Sequence, residues 1–130
     1  MAAQRLEPEQ WPRREVYRFF SGMQNPFYMV TFQLDVTELR AYTKQNGLSF
    51  YYALVWLCTE ACNEVEAFRL TLRSGEVWRL DRGDPSFTDL APGSEVFHIV
   101  TLPAGKDLTA FCRDAARKSR AQTGFIDAAA

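Results

Sequence analysis

Apolar positions along the chain recur with two different periods, and the changes between them predict alternating helices and strands. Pro12 to Ser21 reads as a short helix with Pro12 in its first turn, ended by Asn25-Pro26. Tyr28 to Val36 is rich in aromatic and β-branched residues with loose alternation, which predicts a strand. Thr37 to Asn46 has helical character, with Thr37 suited to the cap and Gly47 just past the end. Ser49 to Asn63 is the strongest helix, and its first half is apolar on nearly all sides, which predicts burial between layers. Phe68 to Leu72 and Glu76 to Asp81 flank Ser74-Gly75, a hairpin signal. Ser86 to Leu90 and Ser94 to Leu102 read as strands on either side of the loop Ala91-Pro92-Gly93. Lys106 to Gln122 returns to helical spacing, with Leu108, Phe111, Cys112, Ala115 and Ala116 on one side and Arg113, Arg117, Lys118 and Arg120 largely on the other. Gly124 to Ala130 closes no element, so the chain reads as stopping where an α/β domain would add a strand.

Composition narrows the class. The chain has 130 residues, 47% hydrophobic and 24% charged, without a repeat or a low-complexity linker, which is the profile of one globular domain spanning 1–130. A net charge of -1 gives no global attraction to nucleic acid or to an anionic membrane. The longest apolar stretch, around Leu54 to Cys58, is too short to span a bilayer, and the polar start from Met1 to Pro8 has no apolar signal core. The expected location is therefore cytoplasmic. Three cysteines fit a reducing compartment: Cys58 and Cys62 lie one helical turn apart, where disulfide geometry is poor, and Cys112 is left over.

Candidate chemistry is sparse. The single histidine, His98, shares a strand face with Val96 and Val100, and no nucleophile lies near it in sequence, so it reads as a structural strand histidine with a local partner. Cys58, Cys62 and His98 lack a paired Cys-x-x-Cys knuckle, and the cysteines read as small buried thiols. No metal site is expected. Asp81, Asp84 and Asp89 surround a glycine turn, where carboxylates commonly bond local backbone. Arg82-Gly83-Asp84 matches an adhesion tripeptide, a match short enough to arise by chance. The basic residues from Lys106 to Arg120 read as a solvated helix face. There is no glycine-rich phosphate loop and no Gly-x-Ser-x-Gly elbow. Read residue by residue, the chain is an aromatic-rich α/β domain without a complete catalytic set.

Taken in order, several segments resemble the chloramphenicol acetyltransferase family. Trp11-Pro12-Arg13-Arg14-Glu15-Val16-Tyr17-Arg18-Phe19-Phe20 is similar to the family's opening Trp-x-Arg motif and first helix. Leu34-Asp35-Val36-Thr37-Glu38-Leu39 resembles its Asp-(Val/Ile)-Thr-x-Leu step. Ser49-Phe50-Tyr51, then Asn63-Glu64 and Phe68-Arg69, resemble its Phe-Tyr helix and the exit into a hairpin. Asp84-Pro85-Ser86-Phe87-Thr88 and Ser94-Glu95-Val96-Phe97 resemble its next two strands. The order and spacing of these motifs carry the resemblance, from Trp11 onward.

The resemblance implies an α/β two-layer sandwich with a mixed β-sheet, truncated here before the C-terminal strands, and a homotrimer with its sites between subunits. It implies transfer of acetyl from acetyl-CoA to a hydroxyl of chloramphenicol or a similar aromatic acceptor. In the family the general base is a histidine of a His-His-x-x-x-Asp-Gly motif, and a serine further along supports the oxyanion; this sequence contains neither element, so no catalytic residue is assigned and the chain is expected to be inactive alone. Carried over residue by residue, Phe20, Tyr28 and Phe97 match aromatic walls of the acceptor site. Arg13 matches a structural arginine that pairs with the aspartate of the missing motif. Gln24 and Pro26 fall where the binding loop varies. His98 does not match the base. The alternative is a non-catalytic module that binds a small molecule or packs into an oligomer of relatives.

Overall fold

The computed structural model describes residues 2–127. Along the chain run β1 (Ala3–Arg5), α1 (Arg14–Ser21), α2 (Thr37–Gln45), α3 (Phe50–Glu64), β2 (Leu70–Arg73), β3 (Glu76–Leu80), β4 (Ser86–Asp89), β5 (His98–Thr101) and α4 (Leu108–Ala121), with short 3-10 turns at Pro8–Gln10 and Glu66–Arg69. The strands form two antiparallel sheets, one ordered β1-β3-β2 and one pairing β4 with β5.

The turn chemistry explains the first sheet. Ser74 and Gly75 both take positive φ, 52° and 80°, the backbone of a two-residue hairpin turn whose twist matches its strands. β2 and β3 therefore pair in register from Leu70↔Arg79 to Arg73↔Glu76. β1 adds to the other edge of β3, from Ala3↔Leu80 to Arg5↔Trp78. The polar start, where the residue pattern offers no strand signal, contributes β1 at Ala3–Arg5.

α2 ends in a Schellman motif, where Leu48 N–H donates to the Thr43 carbonyl (2.8 Å), Gly47 N–H reaches that of Lys44, and Gly47 takes φ +63°. At the other end Thr37 is the first helical residue rather than the cap; the Asp35 carboxylate accepts from both its amide (2.9 Å) and its hydroxyl (2.6 Å). Ser49 caps α3 by accepting from Tyr52 N–H, and Asp107 caps α4 by accepting from Ala110 N–H (2.7 Å).

The core lies between β4–β5 and the two long helices. Phe87 and Val100, directly opposite across the strand pair, pack with Leu102, Phe111 and Ala115, and Tyr52, Val55 and Trp56 of α3 close over them. Trp56 Nε1–H donates to the Ala104 carbonyl (2.9 Å), and Asn63 brackets Gly83, donating to its carbonyl and accepting from its amide.

Two expectations fail here. α3 is not buried on all sides: Ala53 is fully covered, but Tyr51, Leu57, Cys58 and Cys62 are exposed, because among the described residues the helix is covered along one face only. The segment 28–36 forms no strand. Among the described residues no strand pairs along it, and Tyr28 and Met29 stand 88% and 93% exposed. A favourable residue pattern does not make a strand without a neighbour to take its backbone hydrogen bonds. Gly124 to Asp127, read as closing nothing, does reach the second sheet. Ile99 N–H donates to the Phe125 carbonyl (2.8 Å), and Ile126 bridges Ile99 in parallel sense, so β5 has one antiparallel and one parallel neighbour. The remainder of that stretch, 128–130, lies outside the described residues. Among the described residues no helix is long and apolar enough to cross a membrane.

Candidate functional site

The three aromatics matched to an acceptor wall are not core residues. Phe20 and Phe97 are each 47% exposed, and Tyr28 more so. Phe20 sits in the last turn of α1 with its ring edge-on to Phe19, centroids 5.1 Å apart. Phe97 precedes β5 and leans on Phe125 at 5.4 Å, lining a shallow cavity with Ser94, His98 and Gln122. Tyr28 stands in the segment 28–36, which pairs with no strand among the described residues. The cavities described here hold Phe97 but neither Phe20 nor Tyr28, so this chain by itself does not join the three into one enclosed site. Arg13 is the residue from which α1 starts; its carbonyl accepts from Tyr17 N–H (2.9 Å), while its guanidinium is exposed and has no hydrogen-bond or ion-pair partner among the described residues.

The densest polar cluster is one that the sequence reading missed. Tyr52 Oη–H (2.5 Å) and Ser119 Oγ–H (2.6 Å) both donate to Asp89 Oδ2, and His98 Nε2 lies 2.9 Å from Ser119 Oγ. The four residues come from α3, β4, β5 and α4, and the cluster pins both helices to the second sheet. Ser119 has one proton and gives it to Asp89. His98 Nε2 must therefore be the donor to Ser119, and is not available as a base at that nitrogen. Burial alone would raise the Asp89 carboxyl, but bonds from Ser119, Tyr52 and the Leu90 amide outweigh it and hold the group below its ordinary value. Burial, followed by the bond to Asp89, pushes Tyr52 up to about 12. His98 thus has the structural role expected, although its partner is distant in sequence rather than local. Serine, histidine and aspartate meet here, but with serine in the middle the order does not activate a nucleophile.

The remaining candidates resolve into packing, with corrections. Cys58 and Cys62 are exposed, contrary to the expectation of buried thiols; Cys112 is buried, which raises its thiol. Among the described residues no cluster of three metal-ligating side chains occurs. Asp84 accepts from Ala104 N–H (3.0 Å), 20 residues away, and Asp89 reaches two helices, so these carboxylates tie distant segments rather than their own turn. Arg82 pairs with Glu60 and donates to the Gly105 carbonyl (2.9 Å). With Gly83 held by Asn63, the whole Arg-Gly-Asp tripeptide is engaged in the fold. Arg113, Arg117 and Arg120 of α4 are exposed and line one wall of a groove facing the α2–α3 junction, whereas Lys118 is half-buried and pairs with Asp127 at 3.0 Å.

Two antiparallel sheets, with the long helices packed on the second, make a mixed α/β fold. The chloramphenicol acetyltransferase family model matches residues 1–126, and the chain belongs to that family. Its relatives include chloramphenicol acetyltransferase 2 of Escherichia coli, 29% identical over 107 residues that make up 82% of this chain and 50% of that protein. The chloramphenicol acetyltransferase of Staphylococcus aureus is 29% identical over 108 residues, again 82% of this chain and 50% of that protein. A solved chloramphenicol acetyltransferase superposes with a TM-score of 0.86 at 25% identity, covering 93% of this chain and 57% of the other. The chain thus spans about half the length of the curated relatives it matches.

Proposed function

We propose that this chain is the acceptor-binding part of an acetyl-CoA-dependent O-acetyltransferase acting on chloramphenicol or a similar aromatic alcohol, and that its 130 residues do not turn over alone. The observation that carries the reading is the exposure of Phe20, Tyr28 and Phe97. Large aromatics left open to water fit a surface that is completed by something else, and aromatic faces suit a nitrophenyl ring because stacking adds about 0.5–1.5 kcal/mol to area burial. The second support is proton inventory. Acetyl transfer to a hydroxyl needs a base within hydrogen-bond reach of it, and the chain's one imidazole spends Nε2 on Ser119. In this reading the residues orient the acceptor ring, a separate polypeptide surface supplies the base, and the unpaired guanidinium of Arg13 awaits the carboxylate that accompanies it. A single cytoplasmic domain over residues 1–130 that assembles as a homotrimer belongs to the same proposal.

Two measurements test it. Acetyl transfer from labelled acetyl-CoA to chloramphenicol by the purified chain should match a heat-denatured control; product well above that control overturns the inactive reading. Calorimetry with chloramphenicol should show binding that weakens when Phe97 is replaced by alanine. Binding without any turnover, even with a full-length relative present, would favour the non-catalytic module, which the donor state of His98 also supports.

A further inference from the structure

We propose that Cys58 and Cys62 of α3 form a two-thiolate site for a soft divalent metal ion. The two lie one helical turn apart, both are exposed, and both line one groove of about 490 Å³ between α3 and the β3–β4 loop. Free cysteine is among the most buried of residue types, so two open thiols on one helix face fit a ligand better than they fit packing. The groove is set before any ion arrives. Asn63, the residue after Cys62, holds the loop by donating to the Gly83 carbonyl (3.0 Å) and accepting from its amide (2.6 Å).

The spacing selects the ligand. Residues four apart on a helix have Cβ atoms about 5–6 Å apart, whereas a disulfide needs about 3.5–4.5 Å. The thiols cannot close on each other without distorting α3. An ion between them, with bonds of the length that zinc makes to sulfur, about 2.3 Å on either side, spans the longer gap. The other polar groups nearby are spent: Thr59 donates its hydroxyl to the Val55 carbonyl (2.8 Å), and Asn63 is committed to Gly83. Among the described residues no group of three metal-ligating side chains occurs, which disfavours ions that demand four protein ligands and leaves a soft ion content with two thiolates. Charge narrows the choice. Asp84 lines the groove and no lysine or arginine does. A divalent ion bound by two thiolates is neutral, while a monovalent one leaves a net negative complex facing that carboxylate. On binding, two S–H bonds break, two metal–sulfur bonds form, two protons leave to solvent, and the metal keeps its oxidation state. The inference does not depend on the acetyltransferase reading.

Mercury(II) is the probe, titrated into the whole chain against excess 2-mercaptoethanol and read by the ultraviolet charge-transfer absorption of the bis-thiolate. The expected result is one ion per chain. Two donors on one rigid helix act as a chelate, so the monothiol concentration that strips half the metal should be at least about tenfold higher for the parent than for Cys58→Ser or Cys62→Ser. Cys112→Ala removes the buried thiol, which lines a different groove, and should hold the metal as the parent does. Unchanged circular-dichroism melts would show that the variants fold. A parallel copper(I) arm without oxygen should give the parent a smaller advantage; an equal or larger one overturns the assignment of a divalent ion. Equal stripping of the parent and the single-cysteine variants, or a doubling of mass in light scattering on adding metal, overturns the site itself.

Discussion

Replacing Ser119 by alanine should destabilise the fold far more than the loss of one small exposed side chain would. Ser119 is 8% exposed, and its hydroxyl holds two partners, Asp89 at 2.6 Å and His98 at 2.9 Å. Deleting it takes a bond from an ionised carboxylate and leaves the His98 Nε2 donor unpaired beside α4. A hydrogen bond to a charged group is worth about 1.5–3 kcal/mol, and an orphaned part-buried donor adds to that, so a loss of about 2–3 kcal/mol is expected. For a chain of this length that corresponds to a fall in Tm of about 8–12 °C. Urea denaturation followed by far-ultraviolet circular dichroism measures it directly. The pH dependence checks the cause. The folded carboxyl of Asp89 sits below its unfolded value, so its contribution is present above the unfolded carboxylate range and disappears as pH falls through the folded one. The gap between parent and Ser119→Ala should narrow over that acidic window. A loss under about 0.5 kcal/mol at neutral pH, the range of ordinary surface substitutions, would refute the picture of a four-residue clasp.

Three further outcomes are expected. Trp56→Phe keeps the ring against the core but leaves the buried Ala104 carbonyl without its 2.9 Å donor, and should lower stability by about 1–3 kcal/mol in the same urea assay. Thiol titration with a disulfide reagent should modify Cys58 and Cys62 quickly and Cys112 only on unfolding, since Cys112 is buried and its thiol pushed up; three fast thiols would contradict the packing of α4. Phe27, Val30, Phe32 and Leu34 present an exposed apolar segment with unpaired backbone, so light scattering should rise with concentration and fall in a Val30→Lys, Phe32→Lys variant; a parent that stays monodisperse at all concentrations would remove this reading.

Where one local signal decides an element, the sequence was enough. Ser74-Gly75 announces its hairpin because only a few residue pairs tolerate two positive φ angles in a row, and α3 and α4 follow from their apolar stripes. Where the deciding partner is distant, it was not. Ala3–Arg5 has no strand-forming composition and becomes β1 only because β3 offers a free edge. Residues 28–36 have the composition but lack the edge. Asp89, His98 and Ser119 each read as ordinary when taken alone, because their meeting requires β4, β5 and α4 to be in place first.

The same distinction bears on function. The family motifs are local and can be recognised one at a time, whereas an acyl-transfer site is a coincidence of groups that must converge within hydrogen-bond reach. In this chain the residues that do converge, Tyr52, Asp89, Ser119 and His98, satisfy one another and hold α3 and α4 against the second sheet. The open aromatics and the guanidinium of Arg13, which has no hydrogen-bond or ion-pair partner among the described residues, are the ones free to meet something else. A side chain already at its hydrogen-bonding limit has little to offer a ligand, whereas an exposed aromatic face still has area to bury against one. Chloramphenicol binding should therefore respond to a change at Phe97 with little change in the melting temperature, while changes at Ser119 and Trp56 should lower the melting temperature first.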